Sequence, residues 1–301
     1  MPPERVPGTV TLPSADLDPR KHFLTASVER FTDRSAFRVR TSHELVARAN
    51  PSREVVLTVH GFNNRMADGI FRTAQMIADF EIDGPTFHYA WPSRGQPLGY
   101  AADRDAVLLA RRGLEEMLDD LVRAGARSVV IVAHSMGSQL TMEVLRQMAL
   151  RENPTLARVG GVVLMSPDID PEVFKAQAED IGTLPDPFVV FVSQRDPALR
   201  LSARLTGHDA RLGNLASLAS LETLGYQEII IIDLTEARDA ASRHLAAASS
   251  PAVISFLRQT EAVRAGLRTD QAGRAGAIPG TVLLAQEAMT VLLAPAQLLN
   301  P

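Results

Sequence analysis

The sequence predicts an α/β protein: a mostly parallel sheet with helices packed on both faces. Two observations carry this. The strand candidates are continuous apolar, β-branched runs such as Val55–Val59 (VVLTV) and Phe188–Val192 (FVVFV), the pattern of strands buried on both faces. They alternate with stretches whose apolar residues recur at helical spacing, which is how parallel strands are joined through crossovers.

Residues 1–50 are Pro-rich and then mixed, and read as an N-terminal extension with an early strand at Ala36–Arg40. The main domain spans 51–265 and a hydrophobic segment follows at 266–301. Within the domain, VVLTV closes at His60-Gly61. Met66–Phe80 carries Ile70, Phe71, Ala74, Ile77 and Ala78 on one helical face, and Thr86–Trp91 is a short strand stopped by Pro92. Ala101–Ala124 is a long helix with Leu114, Met117, Leu118 and Leu121 on one side. Ser128–Ala133, Val159–Met165, Phe188–Val192 and Glu228–Leu234 are further strands. Met136–Arg151 and Pro251–Arg264 are helices. In such sheets chemistry sits beyond the carboxyl ends of the strands, so the polar residues after each strand are the ones to weigh.

Composition narrows the class. At 301 residues and 46% hydrophobic, the chain can bury one large core. A formal net charge of −4 with acids and bases interspersed offers no basic stripe for nucleic acid. With no cysteine there are neither disulfides nor thiolate metal sites. The seven histidines show no metal-ligand spacing, so no metal site is expected. The first residues hold no apolar core of signal-peptide length. The expected compartment is the cytoplasm if the sequence is complete, or the periplasm or a membrane surface if an export signal has been removed.

The chemistry is concentrated at Ser128–Gly137, SVVIVAHSMG. A buried strand runs straight into a helix through Ala133-His134-Ser135-Met136-Gly137, the strand–turn–helix setting of a nucleophile elbow. Small residues two before and two after the serine let strand and helix approach, here Ala133 and Gly137. A serine hydroxyl needs a base, and the base an orienting acid, in chain order Ser, acid, His for this setting. Asp196, just past FVVFV, is the favoured acid; Asp168 and Asp170 are alternatives, and Asp233 reads as structural. His244, ten residues past Leu234, is the favoured base and His208 the runner-up. His22, His43 and His88 read as surface or packing residues. An oxyanion hole needs two convergent N–H donors, expected from Met136 and from Phe62 in the His60–Asn64 loop. His60, Asn63, Trp91 and His134 are candidate walls of the substrate pocket.

Six short motifs occur in order: HGFNN, WPSRG (Trp91–Gly95), Tyr100–Arg104, AHSMGS, SPDID (Ser166–Asp170) and SxxDxAL (Ser193–Leu199). Together they resemble the α/β-hydrolase branch called domain of unknown function 900, over about residues 50–260. The resemblance implies an α/β-hydrolase fold for the 51–265 domain and a triad at Ser135, Asp196 and His244. It also implies an oxyanion hole at Phe62 and Met136, and esterase- or lipase-like activity without a cofactor. Ala133 departs from the superfamily's usual glycine.

Arg94 or Arg104 reads as the partner of Asp103 or Asp105, or as a holder of an anionic substrate. Leu201–Tyr226 is Leu-rich and serves either as a small helical cap over the site or as an ordinary covering helix. Ile278–Leu299 carries one charge, Glu287, and is interrupted by Pro279 and Pro295. It is expected to dock on the domain, pair two copies of the chain, or contact a membrane surface. The expected substrate is a small or lipid-like ester. The alternatives are an acyltransferase or thioesterase using the same triad, and a non-catalytic scaffold of the same fold.

Overall fold

Six parallel strands and one antiparallel edge strand form a single sheet in the order β2-β1-β3-β4-β5-β6-β7. The computed structural model describes residues 1–13, 16–47, 52–208, 210–214, 229–236, 243–249 and 290–293. The strands are β1 (Glu54–Val59), β2 (Thr86–Tyr89), β3 (Ser128–His134), β4 (Val159–Met165), β5 (Phe188–Val192), β6 (Ile229–Asp233) and β7 (Thr290–Leu293). The helices between them are α1 (Arg34–Ala47), α2 (Met66–Asp79), α3 (Tyr100–Arg123), α4 (Met136–Leu150), α5 (Pro171–Ile181) and α6 (Pro197–Thr206), followed by the single turn α7 (Ala246–Ser249).

One register row, Val59↔Ala133↔Leu164↔Val190↔Ile231, crosses five strands, and every member is buried. It aligns the carboxyl ends of the parallel strands along one edge, so the segments after β1, β3, β4 and β5 emerge side by side. The chain runs outward from β1 to β2 and then returns to place β3 on the other side of β1. That reversal opens a crevice between the ends of β1 and β3, the position where open α/β sheets bind ligands.

The expected strands and helices from Val55 to Asp233 stand where the apolar runs put them, with ends shifted by a few residues. Ala36–Arg40 is corrected: it lies inside helix α1. The Phe37/Val39 alternation mimics a strand, but Phe37, Thr41 and Leu45 share one helical face, with Thr41 and Leu45 buried. Asp33 accepts the Ala36 amide at 2.9 Å and starts the helix. Arg34 and Arg38 then reach Asp120 of α3 at 2.6 and 3.0 Å.

The N-terminal residues lie against α2 and α7. Asp79 accepts the Gly8 amide at 2.7 Å and pairs with Arg5, while Gln75 donates to Ala248 O at 3.0 Å. Gly8 is at φ +80°, and a Cβ there would come 2.1 Å from Ser249 O. Of the C-terminal hydrophobic segment, Thr290–Leu293 pairs antiparallel with β6. The remainder of that segment, the expected helix Pro251–Arg264, and residues 215–226 of the Leu-rich stretch lie outside the described residues. No described helix is long and apolar enough to cross a membrane.

Candidate active site

The turn between β3 and α4 holds Ser135 at φ 53°, ψ −122°. A non-glycine residue in that region carries strain of roughly 1–3 kcal/mol and persists only where its surroundings enforce it. Here they do. The Ser135 amide donates to Met165 O at 2.9 Å, and its carbonyl accepts from Ser138 N at 3.0 Å and Asp168 N at 3.2 Å. Glycines supply the room. A Cβ on Gly61 would lie 2.7 Å from Ser135 Cβ, and one on Gly137 would lie 2.3 Å from His60 O. Ala133 is tolerated because its methyl points into the core, fully buried.

Three residues after β1, Phe62 packs edge-on against Tyr100, with ring centroids 5.4 Å apart. Neither the Phe62 nor the Met136 amide donates a hydrogen bond among the described residues, so both are open to a ligand oxygen. Asn64 clips this loop by donating to Phe62 O at 2.9 Å and Gly61 O at 3.3 Å. His60 and Trp91 brace it from behind. Their rings stack at 4.9 Å and 11°, and Trp91 Nε1 donates to His60 O at 2.6 Å. The two His60 ring nitrogens face the carbonyls of Gly61 and Trp91. Burial lowers the His60 pKa, and those carbonyls only partly oppose it. His60 and Trp91 are thus buried braces, whereas Asn63 is exposed at φ 56° on the rim.

Asp196 follows β5 and is completely buried. Its Oδ1 accepts Ala198 N at 2.9 Å and Leu199 N at 3.2 Å, capping α6. Its Oδ2 accepts from His244 Nδ1 at 2.7 Å. Burial opposes the charge, but the His244 hydrogen bond and charge and the two amides hold the carboxyl below its usual range. That bond leaves His244 Nε2 without a hydrogen bond among the described residues. His244 packs at 4.6 Å against His134, the residue before Ser135. Ser135 Oγ and His244 Nε2 are not hydrogen-bonded to each other; such bonds are often long before substrate arrives. The His134 side chain is half-buried and its Nε2 donates to His244 O at 2.9 Å. Burial, and after it the neighbouring His244, lower the His134 pKa to about 3, so the ring is neutral.

The alternative acids are otherwise engaged. Asp168 belongs to a buried cluster: Tyr100 OH donates to Asp168 at 2.9 Å, Ser202 at 2.5 Å, and Arg211 Nε lies 3.1 Å away. Burial, with Asp168 adding to it, pushes the Tyr100 hydroxyl up to about 12. Asp170 caps α5 and meets His208 Nδ1 at 2.8 Å. That runner-up histidine is 46% exposed against 18% for His244. Asp233 ends β6 and accepts from Thr235 N. Asp103 accepts from Ser93 Oγ and from the Arg94 amide, not from a guanidinium. Sequence reasoning missed Asn64, Tyr100, Ser202 and Arg211. Only the Tyr100 and Asn64 motifs carry a local signal. No group of described His, Asp and Glu residues has the arrangement of a metal site.

A family model described as alpha/beta hydrolase of unknown function, DUF900, matches residues 37–264. The chain belongs to this family. No curated protein matches the sequence of this DUF900 hydrolase. Esterase B from Lactobacillus rhamnosis is similar at 13% identity, over 74% of this chain and 79% of its own, with a TM-score of 0.44. A monoacylglycerol lipase from Paleococcus ferrophilus is similar at 13% identity, over 69% and 95%, with a TM-score of 0.41. The RedJ thioesterase of Streptomyces coelicolor is similar at 11%, over 70% and 86%, with a TM-score of 0.42. Likeness at this level decides nothing about substrate.

Proposed function

We propose that this alpha/beta hydrolase cleaves carboxylic esters through an acyl-enzyme on Ser135. The observation that carries the reading is the 2.7 Å bond from His244 Nδ1 to the buried Asp196, with the His244 ring packed on His134, the residue before Ser135. Ser135 Oγ attacks the acyl carbonyl carbon while His244 Nε2 takes its proton. The Phe62 and Met136 amides receive the oxyanion, an interaction in which each donor is worth roughly 10²–10³ in rate. Collapse breaks the ester C–O bond, and the His244 proton goes to the departing alkoxide. Water, deprotonated by His244, then attacks the acyl carbonyl and releases the acid and Ser135. Asp196 keeps the His244 proton on Nδ1 and stabilises the imidazolium; it is not itself protonated.

An acyl or lipid-like substrate is favoured by the apolar surroundings. Phe62 flanks the oxyanion loop, and α6, which Asp196 caps, exposes Leu201 and Leu205. A non-catalytic scaffold is disfavoured because a binding module has no need of the buried Asp196–His244 pair. The test is hydrolysis of p-nitrophenyl esters from acetyl to palmitoyl by wild type, Ser135→Ala, His244→Gln and His208→Gln. Activity lost in the first two variants and kept in the third supports the reading. Loss in His208→Gln with retention in His244→Gln reassigns the base to the exposed pair. Fluorophosphonate labelling without ester turnover points to a thioester or another acyl acceptor, and absence of both points to a scaffold.

A further inference from the structure

We infer that His134 is a positioning residue that docks the main chain of His244 against the nucleophile turn; this rests on the reading of Ser135 and His244 as the reacting pair. His134 is joined to Ser135 by a peptide bond, and its Nε2 lies 2.9 Å from His244 O. A carbonyl can only accept, so the neutral ring carries its proton on Nε2. The opposite edge of the ring faces the oxyanion loop: a Cβ built on Gly61 would sit 2.8 Å from His134 Nδ1. The two imidazoles pack at 4.6 Å and 60°. One side chain thus spans from Gly61 to the loop that carries the base.

The consequence is geometric. His244 sits in a single helical turn, Arg243–Leu245, ahead of the four-residue α7, and so short an element orients a side chain poorly. Two hydrogen bonds hold it instead: the ring by Asp196 and the carbonyl by His134. With both anchors, the ring and the main chain of His244 are each held in place. With the ring bond alone, the main chain can shift and carry Nε2 with it. Misplacement of a reacting group by about 1 Å costs on the order of 10²-fold in rate. A leucine would fill the same space without donating, whereas a glutamine amide can reach His244 O.

The test compares His134→Leu, His134→Gln and His134→Asn in the full chain, read by ester kinetics, fluorophosphonate labelling rate and the NMR resonance of His244 Nδ1–H. The resonance is assigned by its loss in His244→Gln. Expected for His134→Leu is a kcat and labelling loss of roughly 10- to 100-fold with KM little changed, together with a broadened or shifted resonance. His134→Gln should recover most of both. Wild-type kinetics and resonance in His134→Leu would overturn the proposal. If His134→Leu does not fold, the shorter asparagine amide should show the defect that glutamine does not; equal behaviour of the two overturns it. If wild type neither hydrolyses nor labels, the ester reading has failed, and the resonance alone then judges the docking role.

Discussion

Asp196 divides its carboxylate between two tasks: Oδ1 caps helix α6, and Oδ2 takes the Nδ1–H of His244 at 2.7 Å. The residue that meets the proposed base is therefore also the residue that starts helix α6, and substitutions can separate the two roles.

In Asp196→Asn, the amide oxygen can still cap α6, since asparagine ranks with aspartate at that position. The amide nitrogen would then face His244 Nδ1 and force the wrong tautomer. The expected outcome is a kcat loss of roughly 10²–10⁴-fold with a stability change within about 1 kcal/mol. Steady-state kinetics and thermal melts check this. The charge also has a pH signature. The folded carboxyl lies below its ordinary value of 3.8. It therefore stabilises the fold above that pH, and the contribution is lost as pH falls through the folded value. Acid unfolding of Asp196→Asn should lack that component.

Ser135→Gly tests the strain in the elbow. Glycine adopts φ 53° without a Cβ penalty. The variant should lose ester hydrolysis yet gain stability of roughly 1 kcal/mol, offset in part by the added freedom of its unfolded chain. Urea unfolding of Ser135→Gly against Ser135→Ala checks it: the glycine variant should be the more stable of the two.

The Asp168–Arg211 pair is almost wholly buried, at 3% and 4% side-chain exposure. Removing one partner strands the other's charge, so Arg211→Met should destabilise by about 3–5 kcal/mol. Replacing both, as Asp168→Asn with Arg211→Met, should recover part of that loss. Denaturant unfolding of the singles and the double measures the coupling. Because Asp168 N holds Ser135 O and Tyr100 packs on Phe62, the single variant should also lose activity.

His88 lies inside the fold with its Nε2 unpartnered among the described residues. Burial, and after it His60, lower its pKa to about 4. Above pH 6.5 it is neutral in both states. Between 6.5 and about 4 the unfolded chain takes up a proton that the folded chain refuses, so stability falls as pH falls. In His88→Leu the hydroxyls of Thr58 and Thr73 still pair with each other at 2.7 Å. Its stability should therefore decline less than wild type between pH 7 and pH 5, as measured by urea unfolding at each pH.

The sheet is legible in the sequence because a strand covered on both faces must be apolar along its whole length, and VVLTV, SVVIVA and FVVFV are short and β-branched enough to favour strand over helix. Ala36–Arg40 misleads for the converse reason. Its alternation spans too few residues to separate a strand from a helix, and the decision is made by Asp33 at the helix start and by Asp120 on α3. Ser135, the loop at Phe62 and the order of acid and base can be named from sequence, since each follows a strand end. What holds them cannot. Asp168 has partners 34 and 68 residues away, and Tyr100 reaches Ser202 across 102.

By itself, then, the sequence determined which segments enter the sheet and which polar residues emerge at its carboxyl edge. Both follow from local hydrophobic patterning and turn chemistry. Tertiary structure decided what Asp168 and Asp170 pair with instead of His244, that His208 pairs with Asp170, that His134 reaches the main chain of His244, and that Trp91 is a buried brace. Those outcomes depend on which buried polar group finds a partner across the fold. Each candidate is chemically able to make such bonds, and only the packed chain settles which of them are made.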